Sequence, residues 1–218
     1  MPAKIASRNP PEKERVAVES RAAWRVWLHR HHDQAGGVWV VTYKKGSGGP
    51  HVPYAEIVEE ALCFGWIDSR PAKLDARRSM LLVSPRSPRS RWSAANKARI
   101  EVLTRAGLMT PRGLEVVAAA KRSGTWSALD AVDALSIPAD LARSLRSNPE
   151  AARNFDAFPR SAKRGILEWI LAAKKPETRA RRVQETARLA GRNERANAWR
   201  PKSPDTAARP VRARRTAR

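Results

Sequence analysis

The chain has 218 residues, 42% of them hydrophobic and 29% charged, which is enough apolar material for a folded core and excludes a wholly disordered protein. Its 43 lysines and arginines against 21 acidic residues give a formal net charge of +22, so polyanions such as nucleic acid or anionic surfaces are expected partners at low salt. A single cysteine excludes an internal disulfide and a zinc site built from several cysteines. No apolar run is long enough for a transmembrane segment, and the first residues carry no apolar signal core, so we expect a cytoplasmic protein.

The first part of the chain predicts a disordered leader over residues 1–14 and an α+β unit over 15–92. Apolar side chains at helical spacing, such as Trp24 and Leu28, predict the first helix, and the β-branched run 38–45 predicts the first strand. The expected elements are a helix over 16–31, a strand over 38–45, a helix over 54–62, and strands over 64–70 and 77–85. This order is typical of a small antiparallel sheet with helices packed on it.

From residue 93 onward the pattern becomes helical. Ser93 is a suitable N-cap for a helix over 94–105, and the pairs Thr110-Pro111 and Asn148-Pro149 place a capping side chain before a proline at the first helical position. Further helices are expected to open at Pro138, Ser161 and Pro176. We therefore predict an α+β protein with an all-helical C-terminal half over 93–191 and a disordered Arg-rich tail over 192–218.

Five segments of the chain form an ordered series of strings, ALCFGWIDSR (61–70), SPRSPRSRWSAANK (84–97), GLM (107–109), IPADLARSL (137–145) and FPRSAKRGILEWILAAKKPETRARRV (158–183). Together they resemble the YdeI/OmpD-associated family, whose members are also described as bacteriocin-protection proteins. The resemblance covers roughly residues 20–190 and implies a small α+β fold with a helical appendage. It brings neither a reaction nor a cofactor, so we expect a non-enzymatic binding protein with a role in bacteriocin or stress tolerance.

The segment 84–97 combines basic side chains with two prolines and the start of a helix. Prolines stiffen a loop, and the N-terminal amides of a helix favour a bound anion. The residues expected at this phosphate or carboxylate site are Arg86, Arg89, Arg91, Trp92, Ser93 and Lys97. The alternative is a basic surface loop followed by a capped helix.

Trp66 and Asp68 fall on the same face of the predicted strand 64–70, because side chains alternate along a strand. With Arg70 nearby they could line a ligand pocket, or Trp66 could pack in the core while Asp68 pairs with an arginine. A third class of function, an enzyme, would need Trp66, Asp68 and Arg89 to converge in one cleft.

The remaining reactive residue types have plainer interpretations. Cys63 lies between a predicted helix and a strand, and no histidine follows or precedes it at a spacing that indicates a catalytic pair. We therefore expect a buried structural thiol. His29, His31 and His32 cluster on the first helix, but His31 shares the face of Trp24, which favours packing over metal binding. We expect no metal site and no cofactor.

The C-terminal tail is expected to bind polyanions without sequence preference. Its arginines are Arg209, Arg212, Arg214, Arg215 and Arg218. Together with the basic loop 84–97 they define an alternative function, a nucleic-acid-binding protein. A solvated extension without a selected role is the other interpretation.

Overall fold

The computed structural model describes residues 13–198. The chain divides into two compact units between Asp133 and Ala134, and each unit is described by itself below. The predicted boundary after Trp92 differs from this division, because the helices that follow Trp92 contact the second helix of the first unit. The predicted leader and tail lie mostly outside the described residues.

A four-stranded mixed sheet forms the centre of the first unit. Its strands are β1 (Arg15–Ala17), β2 (Val38–Tyr43), β3 (Trp66–Lys73) and β4 (Arg78–Pro85). Their order across the sheet is β1-β2-β4-β3. The β2–β4 and β3–β4 pairs are antiparallel, but β1 runs parallel to β2, so the prediction of an antiparallel sheet is wrong at this edge.

Strand β1 consists of residues for which the sequence predicts the first helix. Val16 and Val18 are buried, and β-branched side chains of this kind pack well on a sheet. The first helix begins only at Arg21, because the Ser20 hydroxyl caps it by accepting a hydrogen bond from the Ala23 N–H at 3.0 Å. The predicted start of this helix at residue 16 is therefore wrong.

Two helices, α1 (Arg21–His31) and α2 (Tyr54–Cys63), pack on one face of the sheet, the inner face. The Nε1 of the fully buried Trp24 in α1 donates a hydrogen bond to the Ile57 carbonyl in α2 at 3.0 Å. The inner-face strand residues of the same core are Val16, Val38, Val40, Trp66, Leu81 and Val83. The opposite face, called the outer sheet face, carries the alternate strand residues Arg15, Ala17, Trp39, Val41, Tyr43, Ile67, Arg70, Ala72, Arg78, Met80 and Leu82.

Strand β3 continues past Pro71, where the sequence predicts a turn. Pro71 is tolerated because β3 lies at the edge of the sheet, where a missing N–H interrupts no central ladder. A bulge at Ser69 interrupts the alternation of side chains between Asp68 and Arg70. Asp68 consequently belongs to the inner face and Arg70 to the outer sheet face.

Three further helices complete the first unit. They are α3 (Ala94–Arg105), α4 (Pro111–Arg122) and the short α5 (Asp130–Asp133). The predicted Thr110-Pro111 start of α4 is confirmed, since the Thr110 hydroxyl accepts a hydrogen bond from the Gly113 N–H at 3.2 Å. Gly113 also lies against the end of α2, where a Cβ would come within 2.1 Å of the Cys63 carbonyl oxygen. The helix therefore approaches α2 closely only because residue 113 has no side chain.

The described part of the second unit, residues 134–198, is built from four helices. They are α6 (Ala139–Arg146), α7 (Pro149–Ala157), α8 (Arg160–Leu171) and α9 (Pro176–Ala190). The Asn148 cap of α7 is confirmed, since its Oδ1 accepts hydrogen bonds from the Glu150 and Ala151 N–H groups. The predicted Ser161 cap is wrong, because α8 begins one residue earlier, after Pro159. Helix α9 contacts each of the other three helices, and Arg179 on α9 forms a bidentate ion pair with Asp140 on α6.

Some residues of the predicted leader and tail have defined contacts. The Glu14 carbonyl accepts a hydrogen bond from the Trp39 N–H at 2.8 Å. After α9, Ala196 is only 3% exposed, and the Arg195 guanidinium lies 6.0 Å from the Phe158 ring centroid. Residues 192–198 therefore pack on the second unit and are not part of a disordered tail. Between residues 13 and 198, no helix is both long and apolar enough to cross a membrane.

Candidate functional site

The loop that connects β4 to α3 is fixed at both ends. The Arg86 N–H donates a hydrogen bond to the Gly65 carbonyl at 3.0 Å, and the Trp92 N–H donates to the Thr125 carbonyl at 3.3 Å. Residues 87–89 between them are exposed. The first and last side chains of the loop are thus positioned by the rest of the unit, while its middle faces solvent.

Arg86 is a buried cation with unsatisfied donors. Its residue is 7% exposed, and its guanidinium carbon lies 3.7 Å from the centroid of the fully buried Trp92 ring. Nη2 donates a hydrogen bond to the Arg91 carbonyl at 2.6 Å, but Nε and Nη1 are buried without a hydrogen-bond partner among the described residues. Burial lowers the pKa of the Arg86 guanidinium to about 10, although the nearby Asp68 charge raises it in part. The group stays protonated at neutral pH, so two donors of a cation are left unpaired.

A cleft of about 440 Å³ lies between this loop and α4, and we call it the Arg86 cleft. The loop contributes Arg86, Ser87, Pro88, Ser90 and Trp92, and the α4 side contributes Arg112, Glu115, Val116, Ala119, Ala120, Arg122 and Ser123. Glu115 is engaged by Arg112 at 3.3 Å. The cleft therefore combines three arginines and one carboxylate with an apolar wall of small side chains.

The α4 residues of the cleft are not among the site residues predicted from the sequence. Arg112, Glu115, Ala119 and Arg122 recur at intervals of three and four, which places them on one face of a helix. The sequence signal for this part of the cleft is a helical face with small residues in its middle and an arginine at each end. Nothing in the sequence paired that face with the loop 86–92.

Trp66, Asp68 and Arg70 do not form the pocket considered from sequence. Trp66 is 1% exposed and packs in the core, where its Nε1 donates a hydrogen bond to the His32 carbonyl at 2.9 Å. Asp68 accepts a hydrogen bond from the Tyr54 hydroxyl at 2.7 Å. The Arg70 guanidinium lies on the outer sheet face, 5.2 Å from the Trp39 ring centroid. The bulge between Asp68 and Arg70 separates these two side chains onto opposite faces.

The N-terminus of α3, predicted to favour a bound anion, is occupied by a carboxylate of the protein itself. The Ala94 N–H donates a hydrogen bond to Asp133 Oδ2 at 3.2 Å, and the Ser93 hydroxyl caps the Asn96 N–H at 3.3 Å. Lys97 forms an ion pair with Asp130. Ser93 and Lys97 are therefore engaged in the fold, and the Ala94 amide at this helix end already has a carboxylate partner within the protein.

The other predicted residues have separate locations. Arg89 is exposed in the middle of the loop, and Arg91 contributes its carbonyl to Arg86. Arg89, Trp66 and Asp68 do not line the Arg86 cleft, so they offer no support for a shared catalytic site.

Cys63 is fully buried, as predicted, and burial together with the Glu60 charge raises the pKa of its thiol to about 11. The tail arginines between residues 209 and 218 lie outside the described residues.

Comparisons with known families divide the chain much as the fold does. Residues 134–193 match the family described as bacteriocin-protection, YdeI or OmpD-associated. This part of the chain is similar to that family. The predicted resemblance is confirmed for the YdeI/OmpD-associated region, which includes the segment 137–145 and most of the second unit.

The first unit matches a different family. Residues 16–116 match a domain of unknown function, DUF8412. This range contains the segments 61–70, 84–97 and 107–109, so the YdeI/OmpD-associated match covers 134–193 and not the predicted span of about 20–190. The Arg86 cleft is therefore outside the YdeI/OmpD-associated region. No curated protein and no solved structure matches the chain.

Proposed function

We propose that this chain is a non-enzymatic binding protein that takes a small oxyanion, a carboxylate or a phosphate, in the Arg86 cleft. The observation that supports this most directly is the pair of unpartnered nitrogens on Arg86. A buried polar group without a hydrogen bond costs about 1–3 kcal/mol, and more when it is charged. Native proteins rarely keep such groups unless an ion, a water or a ligand satisfies them.

Charge and shape of the cleft are consistent with a ligand of this class. Arg112 and Arg122 add positive charge on the α4 side, and Glu115 is already engaged by Arg112. Guanidinium groups match the geometry of carboxylate and phosphate oxygens. The apolar wall around Val116 suits a ligand that carries a small hydrocarbon part beside its anionic group. Because the free nitrogens of Arg86 are buried, binding requires a small outward movement of the exposed residues 87–89.

Replacing Arg86 with methionine tests the proposal. We expect thermal unfolding of the full wild-type chain to shift upward in phosphate or acetate relative to chloride at matched ionic strength. At 100 times the dissociation constant, one-site binding adds about 2.7 kcal/mol, which corresponds to about 5–10 °C for a chain of this size. Arg86→Met should abolish this shift. Its stability without ligand should be unchanged or about 1 kcal/mol higher, because a buried charge with unpaired donors is removed.

Arg89→Met is the matched control, since it removes one positive charge from the exposed part of the same loop. It should keep the wild-type response to each anion. An Arg86→Met protein that still responds as strongly as Arg89→Met would contradict the proposal, because the effect would then come from the general positive charge. Isothermal titration with the same anions gives the stoichiometry.

For the YdeI/OmpD-associated region we propose a role in bacteriocin or stress tolerance, which its family description supports. A strain lacking the gene should be more sensitive to a panel of bacteriocins and envelope stresses, and the wild-type gene should restore tolerance. If the Arg86 cleft serves the same role, Arg89→Met should restore tolerance and Arg86→Met should not. Equal sensitivity of the deletion strain and its parent would argue against the tolerance role.

The alternative of nucleic-acid binding through the loop 84–97 finds less support. Arg86 is buried, Lys97 is paired with Asp130, and Ser93 caps its helix. A polynucleotide backbone reaches mainly exposed cations, of which Arg89 is the clear case in this loop.

A further inference from the structure

Aromatic and basic side chains are paired on the outer sheet face. Trp39 and Tyr43 are four residues apart on β2, so both point outward. The Arg70 guanidinium carbon lies 5.2 Å from the Trp39 ring centroid, and that of Arg77 lies 5.4 Å from the Tyr43 ring centroid. Flat cations thus lie over flat rings at two places along one strand.

This face is accessible and is separate from the core. Ala17 and Arg70 are exposed, and Trp39 is half-buried. Val41, in the middle of the face, is buried but does not belong to the core cluster formed by the inner-face residues. Helices α1 and α2 pack on the inner face, which leaves Trp39 and its neighbours directed away from them.

The charge of the outer sheet face has one sign. Its described strand positions carry Arg15, Arg70 and Arg78 and no carboxylate. The carboxylate in the adjoining β3–β4 turn, Asp75, is bound by Arg78, with Nη2 and Oδ2 2.7 Å apart. A partner that fits this face has to offer negative charge together with flat surfaces.

We propose that the outer sheet face binds single-stranded nucleic acid. Unpaired bases stack on aromatic rings and on arginine planes, and the phosphates between them pair with arginines. Trp39 and Arg70 supply such a ring and such a plane side by side. A duplex, whose bases are already stacked on one another, offers only phosphates to this face. The proposal shares no residue with the Arg86 cleft, so either can fail without the other.

Fluorescence anisotropy of a labelled 12-nucleotide oligo(U), titrated with the full chain over a salt series, tests the proposal. At about 0.3 M salt the purely ionic part of binding is strongly weakened, whereas stacking persists. Trp39→Leu should weaken binding about 10-fold at this salt, with the salt dependence unchanged. Arg70→Gln should weaken binding and lower the slope of log K against log salt by about 0.7–1.

Trp169→Leu is the matched control, because Trp169 of the second unit is also half-buried and carries an arginine, Arg182, 4.9 Å from its ring centroid. It should bind oligo(U) like the wild type. Oligo(dT) should respond to Trp39→Leu as oligo(U) does, and a duplex of equal charge should not. Circular dichroism checks the fold of each variant. If Trp39→Leu does not fold, the affinity and salt dependence of Arg70→Gln test the proposal.

Four results would overturn the proposal. The first is wild-type affinity in folded Trp39→Leu and Arg70→Gln, and the second is an equal loss in Trp39→Leu and Trp169→Leu. The third is an equal effect of Trp39→Leu on the affinity for the duplex and for the single strand. That result would mean that the face recognises only the phosphate charges and does not stack on unpaired bases. A polyglutamate peptide that competes as well as oligo(U) at equal charge would assign the face to acidic peptides instead.

Discussion

Replacing Trp66 with alanine is expected to lower the free energy of unfolding by about 3–5 kcal/mol. The ring is 1% exposed, and it packs edge-on against Trp27 with ring centroids 6.0 Å apart. Its Nε1 also donates a hydrogen bond to the His32 carbonyl, so the substitution removes a large buried ring and leaves a backbone acceptor unpaired. Urea denaturation followed by circular dichroism measures the change.

Trp66→Phe is the informative partner variant, because it keeps most of the buried ring and loses the hydrogen bond. It should cost less than Trp66→Ala. Near-wild-type stability of Trp66→Ala, combined with a changed response to anions, would mean that Trp66 lines a ligand pocket and is not core.

Glu60→Gln should destabilise the first unit by about 3 kcal/mol. The Glu60 carboxylate is only 3% accessible, and it accepts hydrogen bonds of 2.7 Å from Arg21 Nε and from Arg25 Nη1. Arg25 also donates from Nη2 to the Leu108 carbonyl, so this one carboxylate connects α1, α2 and the segment that precedes α4. A glutamine would leave Arg25 without the carboxylate it pairs with and Arg21 with Glu59 alone, and it would turn an N–H group toward one of the two guanidinium groups. Urea denaturation measures this change as well.

Glu59→Gln is the control, since Glu59 pairs with the same Arg21 at 2.9 Å but is more accessible. Exposed pairs contribute roughly 0–1 kcal/mol, so Glu59→Gln should lie near the wild type. The two variants remove equal charge from one helix. If both lower the free energy of unfolding by the same amount, the buried position of Glu60 is not the cause of its effect.

Local sequence signals identified most helix and strand positions, while the errors arose where distant residues decide the outcome. The N-caps Ser93, Thr110 and Asn148 need only the next few residues, and all three form. Strand β1 is three residues long and gains its hydrogen bonds from β2, more than 20 residues away. The helical spacing of Trp24, Leu28 and His31 predicts a helix that extends back to residue 16, because no local signal represents the pairing of β1 with β2.

The candidate site shows the same limit. The loop 86–91 contains three arginines that are equivalent by sequence, yet only Arg86 is buried. The difference comes from its backbone bond to Gly65 and from the Trp92 ring, which tertiary contacts bring beneath it. The helix end that was expected to hold an anion receives Asp133 instead, about 40 residues later in the chain. The basic loop predicts an anion site in general, and only the tertiary contacts distinguish Arg86 from the other two arginines.

Two glycines allow close contacts of α4 beside the Arg86 cleft. Gly65, with φ at +74°, accepts the hydrogen bond from Arg86, and a Cβ on it would come within 2.7 Å of Val116 on the opposite wall. Gly113 holds the same helix against the Cys63 carbonyl. The position of α4 beside the loop therefore depends on both residues having no side chain, because a Cβ at either one would push the helix away from its neighbour. With α4 held in this way, the movement that the proposed binding requires falls on the exposed residues 87–89.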